Sequence, residues 1–125
     1  MPLKPLPLFG YHPMIQSLAF LLLLQSILTL QPTTKSRPNE KQKAFSVHRL
    51  FNLALVLPLF TAGASIMWYL HDQPGSEHFI SWHGILGTAV VAWTWIQVAA
   101  GIAFTAFDGK AVGGMQRAKN LWKWH

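Results

Sequence analysis

The sequence contains no cysteine. Disulfide frameworks, thiolate zinc sites, iron–sulfur clusters and thiol nucleophiles are therefore excluded, and histidine is the only soft ligand present in number. Acidic residues are nearly as scarce, four against ten lysines and arginines, and charged residues of both signs make up only 11% of the chain. A soluble domain carries about 25%. Between Arg49 and Lys110 there is neither lysine nor arginine. About half of the 125 residues are apolar and fall in long runs, which places the chain in a bilayer. The net charge of +6 does not mark a nucleic-acid binder, because the basic residues cluster at particular linkers and form no stripe.

Three segments are long and apolar enough to cross a hydrocarbon core, at about 13–30, 45–70 and 80–107. Lys4 before the first run raises the alternative of a leader peptide. The run exceeds the usual apolar stretch of a leader, and "TLQPTTK" lacks a small-x-small cleavage pattern, so a true span is expected. The expected fold is an all-α integral membrane bundle of three transmembrane helices. Pro58 removes a backbone donor inside the second span and is expected to bend it. Gln16, Gln25 and Gln97 are uncharged polar groups within spans, expected to face the bundle interior as packing contacts.

The linkers alternate in charge. The 31–47 stretch carries Lys35, Arg37, Lys41 and Lys43, with Arg49 just beyond it, and the 108–125 stretch carries Lys110, Arg117, Lys119 and Lys123. Both are expected on the cytoplasmic side. "HDQPGSEH" between the second and third spans has Asp72 and Glu77 and no lysine or arginine, and is expected on the opposite side.

Four of the six histidines recur at one kind of position: His12 before the first span, His48 opening the second, His83 opening the third, and His125 at the end of the last basic stretch. Consecutive spans run in opposite directions. His12 and His83 therefore share the outer side, and His125, if it opened a fourth span, would join His48 at the inner side. Paired imidazoles on facing helices suit a flat macrocycle whose iron takes one nitrogen from each face, an arrangement that shuttles electrons because no open coordination position remains. Zinc is the rival metal, but two imidazoles per side with no nearby carboxylate or thiolate make a poor tetrahedral site. Gly84 and Gly87 follow His83 and would let a macrocycle approach the backbone, or serve as ordinary helix contacts. His71 and His78 fall in the outer loop as solvated side chains, with a secondary role near an outer haem as the alternative.

Taken in order, "YHPM", the lysine-rich linker leading to "KAFSVH", "SWHGILG" and "LWKWH" resemble the eukaryotic cytochrome b561 family over nearly the whole chain. Members are six-helix membrane proteins whose four-helix core holds two haem b groups, one near each face. The resemblance implies that His12 with His83 ligates the non-cytoplasmic haem iron and His48 with His125 the cytoplasmic one. It also implies one-electron transfer from cytoplasmic ascorbate to monodehydroascorbate or a ferric chelate on the opposite side. Lys43, five residues before His48, is the best match for the ascorbate-binding lysine, with Lys41, Arg117 and Lys119 as weaker candidates.

Against that family the sequence is expected to be a shortened form holding three complete spans, with the His12/His83 site more complete than the His48/His125 site. The expected setting is the plasma membrane or an endomembrane such as a lysosome, vacuole or vesicle, and the resemblance is compatible with a homodimer. Two other readings stay open at this point: a haem-free membrane interaction or assembly subunit, and an inactive truncated fragment.

Overall fold

The computed structural model describes residues 5–125, so Lys4, on which the leader-peptide alternative turns, lies outside the described residues. The described residues are helical with no strand, and three helical stretches are long and apolar enough to cross a membrane. The protein is an integral membrane helical protein. It divides into two units, Met1–Thr88 and Ala89–His125.

In the first unit, α1 spans Leu8–Leu30 and is apolar on every side, as a lipid-facing helix must be. His12 is thus one turn inside α1, where a boundary at residue 13 was expected. Pro13 sits within the helix and leaves the Phe9 carbonyl without its usual donor, which is tolerated in transmembrane helices. The second helical stretch is longer than its apolar run. α2 begins at Pro38, continues through a wide π turn at Asn52–Val56, and ends with α3 at Leu57–His71. Much of the expected 31–47 loop is therefore helix. Proline at the first helical position, Glu40 in the first turn, and His48 and Arg49 in the last give this polar extension the charge pattern of a helix.

α1 packs on α2, on the wide turn and on α3, with alanine, serine and glycine beside larger apolar residues. Ala19, Ser26, Val56, Phe60 and Gly63 are buried there, while Leu21, Leu28 and Leu50 point outward. This is the division of labour expected in lipid, where close backbone approach and not water exclusion joins helices. Gln16 faces the interior as expected and donates from Nε2 to the Phe60 carbonyl at 3.2 Å. Gln25 does not: it is exposed and uses Thr29 Oγ1, one turn on in its own helix, at 3.4 Å.

The connection after α3 is held by its own side chains. His71 Nδ1 donates to the Glu77 carbonyl at 2.6 Å, and the His78 ring stacks on Trp68 with centres 4.3 Å apart, 3.6 Å from the Asp72 carboxylate. α4 then runs from Trp82 to Thr105.

Within the second unit, the backbone after α4 takes three successive left-handed residues, Phe107, Asp108 and Gly109, before α5 at Met115–Leu121. Gly109 is required there: a Cβ would lie 2.7 Å from the Ala118 Cβ and 2.9 Å from the Gly114 carbonyl oxygen. The expected 108–125 loop is therefore a turn followed by a short helix.

A candidate haem-binding site

His12 lies on the face of α1 that meets α3, and its Nδ1 donates to the Gly63 carbonyl at 2.8 Å. The approach is close because Gly63 has no side chain: a Cβ there would stand 2.7 Å from Gln16 Nε2 and 2.9 Å from Gln16 Cδ. A carbonyl only accepts, so the imidazole carries its proton on Nδ1 and presents Nε2 as the basic nitrogen. Such a bond to the distal nitrogen is the usual orienting contact of a metal-ligating histidine.

His83, the second residue of α4, brings its ring to 6.0 Å from that of His12, centre to centre, with the planes nearly perpendicular at 89°. Metal–imidazole bonds of about 2.0 Å on opposite sides of one metal, plus the ring radii, ask for roughly this separation. His83 is exposed, and α4 leaves open space on its neighbouring face. A Cβ at Gly87 would meet nothing within 4 Å, and one at Gly84 only Ser81 Oγ at 3.4 Å. Gly87, four residues after His83, shares its side of the helix. Open backbone beside an exposed imidazole is what a flat macrocycle requires. His12 and His83 are thus the residues that could hold a haem, by the separation of their rings.

At the other end of α1, Ser26 is fully buried and His48 turns its ring toward it. His48 Nδ1 lies 3.1 Å from Ser26 Oγ and 3.3 Å from the Ser26 carbonyl oxygen. The Asn52 amide closes the knot by donating to Ser26 Oγ and, at 2.7 Å, to the His48 carbonyl. His48 thus also has its Nδ1 engaged and its Nε2 turned away from that bond. In the second unit, the His125 ring rests against Gly101, where a Cβ would come within 3.0 Å of Cε1 and 3.2 Å of Nε2. The structure therefore brings His12 and His83 together; within the first unit His48 sits against Ser26, and within the second His125 sits against Gly101.

Lys43 is exposed on α2, on an open groove that Asn39, Gln42, Ser46 and Val47 also line; Lys41 is half-buried on the same helix. Gly63, Ser26 and Asn52 were not singled out in the sequence. The available signal was spacing, since Ser26 follows His12 by 14 residues, two heptads that keep roughly one helix face, whereas Gly63 follows His48 by 15, one residue more.

The family model for eukaryotic cytochrome b561 matches residues 11–125. The chain belongs to the eukaryotic cytochrome b561 family. Among curated proteins it is 33% identical over 99 residues to the transmembrane reductase CYB561D2 of Bos taurus, covering 76% of this chain and 43% of that protein. The Homo sapiens transmembrane reductase CYB561D2 is 32% identical over the same coverage. The chain thus spans less than half the length of these cytochrome b561 relatives. No solved structure matches it.

Proposed function

We propose that the chain takes part in transmembrane one-electron transfer with b-type haem, as a reductase of the cytochrome b561 type, with ascorbate as the cytoplasmic donor and monodehydroascorbate or a ferric chelate as the acceptor. The observation that carries this reading is the His12/His83 pair, with rings 6.0 Å apart and the His12 Nδ1 held by the Gly63 carbonyl. His12 and His83 would hold the haem, and the chemistry it would supply there is one-electron exchange.

The chain's own residues supply orientation and insulation. Gly63 fixes the tautomer and direction of His12, Gly84 and Gly87 keep the backbone beside His83 open, and apolar spans exclude water and charge from the path. His48 and His125 keep the inner-haem assignment that the family pattern implies. Lys43, with Lys41 behind it, would draw the ascorbate anion to α2 by charge. The basic 31–47 and 108–125 stretches belong on the cytoplasmic side, in the plasma membrane or an endomembrane. Moving one charge across the membrane adds about 2.3 kcal/mol per 100 mV, which links the electron transfer to the membrane potential.

The test is ascorbate-driven reduction of a ferric chelate across the wall of a sealed vesicle holding the purified chain. Reduction of the chelate on the far side, slowed in His83→Ala, supports the proposal. Haem that dithionite reduces and ascorbate does not would remove ascorbate from it. Unchanged chelate in vesicles whose haem ascorbate does reduce would remove the transmembrane step.

A further inference from the structure

The two antiparallel stretches hold each other's histidine. α1 contributes His12 and takes its partner, Gly63, from α3; α2 contributes His48 and takes its partner, Ser26, from α1. For both bonds to form at once, the run from His12 to Ser26 must match the run from His48 to Gly63 in length and in phase. The first is 14 residues, about 21 Å at about 1.5 Å per residue, and the second is 15. In two regular α-helices the surplus residue would turn Gly63 by about 100° away from His12.

The wide turn lies within the longer run. Its bond goes from the Leu57 N–H to the Asn52 carbonyl, five residues back, so this turn holds one residue more than an α turn. Pro58 follows at once, and its missing N–H means that the Ala54 carbonyl has no α-helical donor to lose there. Leu53, Ala54 and Leu55 face outward, whereas Val56, Leu57 and Phe60 are buried against the partner, so the extra residue is taken up on the lipid side. Asn52, the first residue of the wide turn, also ties His48 to Ser26.

We propose that the wide turn at Asn52–Val56 is a register device, which absorbs the surplus residue so that α1 and the α2–α3 stretch orient both histidines simultaneously. Its functional meaning rests on the haem reading of His12 and His48; its geometry does not.

A chain without native cysteine allows a test that is blind to haem. Cysteines introduced as Gln16→Cys and Gly63→Cys fall where a disulfide needs them, because the Gly63 Cβ position is 3.1 Å from Gln16 Cγ. The pair is oxidised in micelles and quantified by mass spectrometry in three backgrounds of the full chain. These are the otherwise unaltered chain, deletion of Ala54 combined with Pro58→Ala, and deletion of Leu21, an outward residue of α1 between His12 and Ser26. Imidazole nitrogen-15 spectra of the same backgrounds without the cysteine pair report whether His12 and His48 carry their protons on Nδ1.

Deleting Ala54 with Pro58→Ala restores a run of 14 and is expected to keep both the cross-link and both Nδ1–H signatures. Deleting Leu21 is expected to lose the cross-link or one signature. Survival of every readout after deletion of Leu21 would overturn the proposal. So would their loss, or failure to fold, after deletion of Ala54. Because these readouts need no haem, a flat absorption spectrum would count against the haem reading alone.

Discussion

The His12 imidazole and the Gly63 carbonyl are joined by a 2.8 Å hydrogen bond between α1 and α3, and that bond sets which nitrogen of the ring is left basic. It depends on an absent side chain. Gln16, one turn beyond His12, occupies the space that a Cβ on residue 63 would need.

Gly63→Ala is therefore expected to push α1 from α3, at a cost of about 1–3 kcal/mol for overpacking a close contact. The chain should retain less haem per protein. Adding Gln16→Ala removes the atoms that the new methyl meets, so the double variant should recover most of the loss. Thermal unfolding in micelles and haem absorbance per mole of protein, arranged as a double-mutant cycle, measure the coupling.

The arrangement of these contacts explains what the sequence could and could not convey. The spans were legible because apolar runs of this length have few alternatives, and the nearness of His12 to His83 because both stand at span edges on one side. α1 and α2 begin before the apolar runs do, since His12 and the polar residues from Pro38 read as linker when hydropathy alone is counted, although helical bonding continues through both. Gly63, Ser26 and Asn52 were missed because each is an ordinary residue until a second helix is laid against it. The wide turn leaves no composition signal; only the unequal runs of 14 and 15 residues betray it.

Ser26→Ala should destabilise the α1–α2 contact more than its size suggests. It leaves the Asn52 amide without the hydroxyl it donates to, and leaves His48 Nδ1 only the Ser26 carbonyl, at 3.3 Å. Each hydrogen bond lost from this cluster costs about 0.5–1.5 kcal/mol. Denaturant titration of helicity should show this, and Ser26→Thr, which keeps the hydroxyl, should lose less. If His48 is a haem ligand, the midpoint potential of that haem should shift in Ser26→Ala as well.

Gly109→Ala tests the turn between α4 and α5. Gly109 has φ of 71°, and its Cβ position falls 2.7 Å from that of Ala118. A side chain in this backbone region costs about 1–3 kcal/mol before the clash is counted. Faster hydrogen exchange throughout α5, with α1 to α3 unchanged, is the expected result.

Lys43→Gln removes a charge from the exposed groove on α2 while keeping the length of the side chain nearly constant. Half-saturation of haem reduction by ascorbate should move several-fold upward at low ionic strength. At 1 M salt, where the screening length falls to about 3 Å, the difference should largely vanish. Stopped-flow measurements at two salt concentrations separate this from a folding defect, which salt would not repair.

The haem assignment itself is tested most directly by the dithionite-reduced minus oxidised absorption spectrum of the purified chain, expressed with ample haem. A sharp α-band of b type should be present in the unaltered protein and strongly diminished in both His12→Ala and His83→Ala, with helicity retained. It should persist in His78→Ala, whose ring is stacked on Trp68 and bonded to neither histidine of the pair. A flat spectrum in the unaltered chain, or bands of equal height in His12→Ala, His83→Ala and the unaltered chain, would contradict the assignment.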